Sequence, residues 1–293
     1  MYAVDESPIL YKKAKGAEFR MPELPEVETV KRTLAPEIEG KEIIGVEVFL
    51  AKAVKPRPEI AEEFLPGRVI QKVTRRGKYL ILTLDSQVKV AFHLRMTGQL
   101  LYQPRETPLA KHTTLRVSLN DGFDLRMVDQ RKFGTINIFA PDGAGLAPCG
   151  LLTLGPEPFD VDALFSLKKA ARRRKGPVKG VLLDQQVLAG LGNIYTDEAL
   201  FRAGINPARP ANSLTEEEWT ILYEQICRVL TEGINHRGTT RRDYVDGRGQ
   251  PGGYQKLLKV YGRKRMACLV CGEPIKYARI AGRGSHFCPH CQK

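Results

Sequence analysis

Between residues 25 and 40, apolar side chains recur every three or four positions: Val27, Val30, Leu34 and Ile38. That spacing gathers them on one face of an α-helix. Pro25 suits the first helical position, where no intrahelical donor is lost, and Glu26 and Glu28 complement the positive end of the helix dipole. Gly40 is a stop signal, and Pro36 predicts a kink or an early end. From residue 41 to 140 the period shortens. "EIIGVEVFLA", "RVIQKV", "YLILTL", "VKVAFHL", "TLRVSL", "FDLRMV" and "TINIF" are short, often alternating, and rich in Val, Ile, Leu, Thr and Phe. Turn residues such as "RRG" (75–77) and "NDG" (120–122) separate them, which predicts a β-sandwich or barrel. "FAPDGAGLAPCGLLTLGPEPFD" then reads as loop, and the period turns helical beyond it. In "SLTEEEWTILYEQICRVLTEGI", Ser213 or Thr215 is a candidate N-cap with Glu three residues on. Trp219, Leu222, Ile226, Val229 and Leu230 fall on one face of that helix.

Composition adds a partner class. The chain has 293 residues and a formal net charge of +13, with "KKAARRRKGPVKG" (168–180) free of acids. Such a balance favours a polyanion: DNA, RNA or an anionic membrane surface. No apolar run approaches the ~18–20 residues that span a bilayer. The first twenty residues lack the basic, apolar, small-residue order of a secretion signal, so a cytoplasmic location is expected. Cys149 and Cys227 stand alone, and Cys227 falls in the helical pattern, as a buried small apolar residue would.

The other four cysteines form "CLVC" (268–271) and "CPHC" (288–291), a CxxC-x16-CxxC arrangement. That spacing suits four thiolates on one zinc ion, with the intervening segment folded back as a β-hairpin. Four sulfur ligands leave no open position, so the zinc is structural: a piece this small cannot bury enough apolar surface by itself. Two redox pairs would use the same CxxC motifs, and His286 and His290 rank behind the cysteines as ligands. Arg279 and Arg283 between the pairs suit phosphate, or a solvated basic face.

Eight blocks, in order, resemble bacterial formamidopyrimidine-DNA glycosylase. They are "MPELPEVE" (21–28), "RRGKYLIL" (75–82), "FHLRMTGQL" (92–100), "DQRKFG" (129–134), "LGPEP" (154–158), "GLGNIYTDEALF" (190–201), "VYGRKRMAC" (260–268) and "GRGSHFCPHCQK" (282–293). The resemblance covers essentially all of residues 21–293, and Leu24 favours the oxidised-purine enzyme over its pyrimidine-directed sister. It implies an α+β multidomain fold: an N-terminal β-sandwich with flanking helices, then a helical domain with a helix–two-turn–helix motif and a zinc-finger β-hairpin. The expected division is a leading extension at 1–20, a catalytic sandwich at 21–155, a hinge at 156–170, the helix–two-turn–helix domain at 171–260 and the zinc finger at 261–293.

The resemblance also assigns roles. A catalytic set would comprise Pro22 as secondary-amine nucleophile, Glu23 as acid/base, Lys78 at the phosphate or departing base, and Arg283 on phosphates flanking the lesion. A DNA-binding set would comprise Met96, Arg131 and Phe133 filling the void left by the everted base, with His93, Lys179 and Asn193 along the backbone. Taken alone, Glu23 also reads as a helix-start acid, Lys78 as an edge-strand lysine, and Met96 and Phe133 as core residues. Gln130 departs from the family's proline in "DPRKFG" and puts the stiffness of that loop in question. The Gly-rich, charged segment 239–253 resembles a mobile lid over the everted base.

An internal proline is a tertiary amide and cannot act as an amine, so Pro22 serves only in a chain that starts there. Residues 1–20 are therefore expected to be a tag, a misassigned upstream start or a segment later removed. The activity implied is excision of 8-oxoguanine and formamidopyrimidines from duplex DNA, then AP-lyase strand cleavage by β,δ-elimination. The implied protein is a bacterial, nucleoid-associated monomer with one structural zinc, no small-molecule cofactor and no membrane partner. The alternatives are a non-catalytic nucleic-acid-binding protein with a blocked N-terminus and a pyrimidine-directed glycosylase.

Overall fold

The computed structural model describes residues 21–139 and 150–293. The leading extension and Cys149 lie outside the described residues. The first half holds helix α1 (Leu24–Ile38), strands β1 (Ile43–Val48) and β2 (Val54–Lys55), helix α2 (Glu59–Phe64) and strands β3 (Ile70–Arg76), β4 (Tyr79–Leu84) and β5 (Lys89–His93). Strands β6 (Gly98–Pro104), β7 (Thr113–Leu119), β8 (Phe123–Asp129) and β9 (Thr135–Phe139) complete it. They form two sheets, ordered β1-β7-β8-β6 and β2-β9-β5-β4-β3. The core they share contains Leu80, Leu82, Phe92, Leu115, Leu125, Ile136 and Ile138, the inward members of alternating strands. This is the expected sandwich. Strands β2 and β6 and helix α2 are additions to the sequence reading.

The second half is helical: α3 (Ala163–Arg172), α4 (Val178–Leu183), α5 (Asn193–Arg202) and α6 (Glu216–Asn235). Helix α3 occupies half of the expected 156–170 hinge, because Ala163, Leu167 and Ala171 pack into the helical core. Thr215, not Ser213, caps α6: its Oγ1 accepts the Glu218 N–H at 3.1 Å, and the Glu218 carboxylate accepts the Thr215 N–H at 2.8 Å. Cys227 is only half-buried, its sulfur 3.4 Å from the Pro158 carbonyl oxygen. A final hairpin, β10 (Lys276–Ile280) and β11 (Arg283–Phe287), turns at Ala281 and Gly282, both with positive φ. Among the described residues no helix is long and apolar enough to cross a membrane.

Helix α1 joins the two halves. Val27, Val30, Leu34 and Ile38 pack in the sandwich core, whereas Leu24 packs in the helical core. Pro36 lies in the last turn and the helix runs two residues past it, to Ile38. The start of α1, and with it Pro22 and Glu23, therefore sits where the two cores meet.

Candidate active site and nucleic-acid interface

Glu23 precedes the first turn of α1 and is buried. Its carboxylate reaches the N-terminus of α5, accepting the N–H of Ile194 at 2.8 Å and of Tyr195 at 3.4 Å. Those two donors are orphaned by the helix start, so a carboxylate suits them. "GLG" (190–192) makes the approach possible: a Cβ on Gly192 would collide with the Glu23 carboxyl carbon. Gly190, at φ +89°, passes its carbonyl to the Leu24 N–H at 3.0 Å. Burial nevertheless outweighs these donors and the attraction of Lys78, with the Glu26 charge adding to it, and holds the Glu23 carboxyl up at about 7. Proton exchange near neutrality is thus available to it.

Glu26 fastens this corner. Its carboxylate accepts the Glu23 N–H at 2.8 Å, the Tyr195 hydroxyl at 2.8 Å and the Thr239 N–H at 2.7 Å. Three segments distant in sequence meet on one side chain. Lys78 follows Gly77 in the turn between β3 and β4 and is buried rather than displayed on an edge. Burial lowers its pKa against the opposing pull of Glu23. His93 is also buried, edge-on to the Tyr79 ring with centroids 4.6 Å apart. Burial, with Arg95 and Lys78 nearby, pushes its pKa down to about 3, so the imidazole is neutral. Its Nδ1 accepts the Arg95 N–H at 3.1 Å.

Phe133 is 51% exposed at the rim, and the Arg131 guanidinium lies 4.9 Å from the centre of its ring. Met96 is half-buried in the neighbouring β5–β6 connection. Both loops hang on Asp129, which is buried. Its carboxylate accepts the Thr97 hydroxyl, the Arg131 N–H at 3.1 Å, the Phe133 N–H at 2.8 Å and the Gly134 N–H at 2.7 Å. A Cβ on Gly134 would collide with the Met127 methyl and crowd this carboxylate at 3.1 Å. Gln130 is exposed.

Asn193 opens α5 and donates to the Gly284 carbonyl at 2.8 Å, which ties the helix to the hairpin. Arg283 is exposed at the hairpin turn. Lys179 does not lie at the surface. It is fully buried, and its ammonium donates to Asp197 at 2.6 Å, Ser285 Oγ at 2.7 Å and the Gly284 carbonyl at 3.0 Å. Its charge is committed to fastening α4, α5 and the hairpin. The expected mobile lid, 239–253, is docked on the sandwich: Thr33 Oγ1 accepts the Gly247 N–H at 3.0 Å, and the Gly247 carbonyl accepts the Tyr102 N–H at 2.9 Å. Arg248 pairs with Glu37. Buried Asp246 shapes the turn by accepting the N–H groups of Arg248 and Gln250, each at 2.9 Å.

The Sγ atoms of Cys268, Cys271, Cys288 and Cys291 lie within 4.8 Å of one another. The pairs Cys268–Cys291 and Cys271–Cys288 are 3.9 and 3.4 Å apart. Tetrahedral zinc with sulfur at ~2.3 Å sets its ligands ~3.8 Å apart, so the cluster fits the ion. His286 is buried between the rings of Tyr261 and Tyr277, and His290 is exposed; neither joins the cluster.

Three family models match the chain. The formamidopyrimidine-DNA glycosylase N-terminal domain matches residues 21–136, the H2TH domain of the same enzyme 154–244, and a zinc finger found in FPG and IleRS 267–293. The chain belongs to the formamidopyrimidine-DNA glycosylase family. The family's enzyme from Pelotomaculum thermopropionicum is 48% identical over 279 residues, covering 93% of this chain and 99% of the relative. That of Bacillus licheniformis is 46% identical over 277 residues, covering 93% and 100%. A complex of wild-type Lactococcus lactis Fpg with DNA containing N7-benzyl-Fapy-dG superposes with a TM-score of 0.84 at 36% identity, covering 93% of this chain and 100% of that one. A complex of the same organism's Fpg with abasic-site DNA gives 0.84 and 36%, covering 92% and 99%. The chain thus carries the family's α+β multidomain fold and its zinc finger, with one structural zinc on the four cysteines.

Within this glycosylase fold, the structure adds residues that the sequence reading passed over. Asp129 organises the Phe133 loop, Tyr195 bonds Glu26, and Glu157 anchors the turn before Lys78. Asp129 and Glu157 lie inside the quoted blocks "DQRKFG" and "LGPEP", but nothing in their spacing tells an inward carboxylate from an exposed one.

Proposed function

We propose that this chain excises oxidised purines from duplex DNA and then cleaves the strand, with Pro22 as nucleophile. The observation that carries the reading is the meeting of Pro22, Glu23 and Lys78 where the two cores join, with Glu23 held near neutrality. In a chain beginning at Pro22, its secondary amine forms a bond to the sugar C1′ as the bond from C1′ to the base breaks; the base leaves with that electron pair and takes up the proton shed by the amine nitrogen. The Glu23 carboxyl gives its proton to the ring oxygen, the C1′–O bond opens, and a protonated Schiff base remains. The iminium acidifies C2′, and loss of that proton expels the 3′ phosphate; a second elimination expels the 5′ phosphate. Met96, Phe133 and Arg131 occupy the gap in the stack, Arg131 meeting the orphaned cytosine. Arg283 and Asn193 hold the bent backbone, Asn193 from the start of α5 that it ties to the Arg283 hairpin. Lys78 assists base departure or binds phosphate, neutral His93 lies beside it, and Lys179 acts through the hairpin that it anchors. The working location is the bacterial cytoplasm at the nucleoid, as a monomer.

The test is borohydride trapping on duplex containing 8-oxoguanine opposite cytosine, with oxidised pyrimidines alongside. A covalent adduct on the purine duplex is expected. Adducts only on pyrimidine lesions, or tight binding with no adduct from a chain starting at Pro22, would remove the proposal. The second reading, a non-catalytic binder, is favoured by one fact: Met21 precedes Pro22 in this sequence and acylates its nitrogen.

Two further outcomes are expected. Chelating the zinc, or Cys288→Ser, should open the hairpin, because this small unit gains its folding energy from the metal. Amide exchange across Lys276–Phe287 should accelerate, and duplex affinity should fall ~10-fold or more as phosphate contacts are lost. Phe133→Ala should weaken lesion-duplex binding about 10-fold, in keeping with ~1–3 kcal/mol for stacking on an aromatic ring. Because Phe133 is half-exposed, its removal should leave the melting temperature nearly unchanged.

A further inference from the structure

We propose that Glu157 is a positioning residue that holds the Lys78 turn in register with the helical half of the molecule. The proposal rests on the reading of this site as a glycosylase active site in which Lys78 acts. Strands β3 and β4 pair through Arg76 and Tyr79, so Gly77 and Lys78 form the turn between them. Strand pairing alone fixes that turn within the sandwich. It does not fix the turn against the other half, which supplies the Glu23 partners Ile194 and Tyr195.

The Glu157 carboxylate makes that connection. It accepts the Gly77 N–H at 2.5 Å, Arg75 Nη1 at 3.0 Å and Arg75 Nη2 at 2.7 Å, and lies 3.3 Å from Arg76 Nη1. Arg75 is also held by Glu28 of α1 at 3.1 Å, and Arg76 donates to the Gly155 carbonyl at 2.5 Å. Gly77 has φ +56°, and a Cβ there would lie 2.9 Å from Leu154, so the two segments are in close contact.

The segment bearing Glu157 is fixed in turn. Gly155 N–H donates to the Gln185 carbonyl at 2.9 Å, and Ala189 N–H to the Pro156 carbonyl at 2.9 Å. The next residue, Gly190, accepts the Leu24 N–H at 3.0 Å. A continuous path therefore runs from Lys78 through Gly77, Glu157, Pro156, Ala189 and Gly190 to Leu24, beside Glu23. Every link is a hydrogen bond or one or two residues of chain. Loss of the Glu157 charge removes its ion pairs with two guanidinium groups and weakens its hold on the Gly77 N–H, leaving Arg75 on Glu28 and Arg76 on the Leu154 and Gly155 carbonyls. A misplacement of about 1 Å at a reacting group costs up to ~100-fold in rate without a matching loss of binding.

The experiment is a double-mutant cycle in the zinc-loaded chain starting at Pro22: wild type, Glu157→Gln, Lys78→Ala and the double variant. The readouts are single-turnover excision of 8-oxoguanine, its pH profile, and affinity for an uncleavable abasic-analogue duplex. Glu157→Gln should slow excision ~10–100-fold, with duplex affinity within about twofold of wild type. In the Lys78→Ala background the same change should slow excision less than about twofold. The pH limb that Lys78→Ala removes should be shifted in Glu157→Gln. Additive losses, or an affinity loss matching the rate loss, would overturn the proposal. A wild type that does not excise, or a Lys78→Ala variant as fast as wild type, fails the underlying site reading instead. Should Glu157→Gln not fold, Glu157→Asp carries the same cycle with the charge kept and its reach shortened.

Discussion

Trimming the chain so that Pro22 carries the free N-terminus is expected to raise lesion excision by at least ~1000-fold over the chain that retains Met21. The argument is one of bonding. In the longer chain the Pro22 nitrogen belongs to a tertiary amide, with its lone pair delocalised into the carbonyl and no hydrogen to lose. Neither attack on C1′ nor iminium formation is open to it. Relaxation of the surroundings offers no escape: Pro22 is buried, and Glu26 holds the following N–H at 2.8 Å. DNA binding should respond far less, because Arg283, Phe133 and Met96 stand on other elements. The measurement is borohydride trapping and single-turnover excision on both forms, with intact mass taken on the active fraction. The family match begins at Met21, one residue before the trimmed start. Pro22→Gly in the trimmed chain should still trap DNA, since glycine leaves a primary amine. Equal rates from trimmed and acylated chains would sink the covalent mechanism while leaving a zinc-bearing DNA clamp.

The sandwich was legible because its strands alternate, and α6 because its capping box and buried stripe agree. Strand β6, "GQLLYQP", was not legible, since Gly98 and Pro104 at its ends read as loop punctuation. The structure gives both a strand role. A Cβ at Gly98 would collide with the Leu94 carbonyl oxygen, and β6 is an edge strand, where proline is tolerated. Within the site, only the resemblance of whole blocks drew Pro22, Glu23 and Lys78 together; taken alone, Glu23 reads as a helix-start acid and Lys78 as an edge-strand lysine. Direction was harder. Lys179 and Arg283 are both basic residues beside glycines, yet one is sealed against Asp197 and the other faces solvent. That difference depends on packing between elements over 100 residues apart in sequence, and no local period encodes it. The same holds for Glu26, Asp129 and Glu157, whose partners come from other elements.

Glu23→Gln is expected to reduce excision by ~100- to 10,000-fold and to remove one limb of the pH profile. The sign follows from the direction of the shift. Burial raises the carboxyl from near 4.5 to about 7, so at pH 6 it is largely protonated and able to give its proton to the sugar oxygen. As pH rises through about 7 it ionises, and the acid-dependent step of the wild type should fall tenfold per pH unit above that point. The side-chain amide in Glu23→Gln cannot donate that proton at any pH, so the variant should be slow and flat across the window. Stability should report the same group. The folded pKa exceeds the unfolded one, so this group's contribution is complete below about 4.5 and lost as pH rises through about 7. The wild-type melting temperature should therefore decline more than that of Glu23→Gln between pH 5 and 8. Lys78 provides a cross-check. The Glu23 charge supports the Lys78 ammonium against burial, so the amide should drive the lysine further toward its neutral form. A Glu23→Gln variant within tenfold of wild type, or one keeping the limb near pH 7, would show that the proton comes from elsewhere. Glu23 would then be what its position alone suggests, a carboxylate joining the starts of two helices.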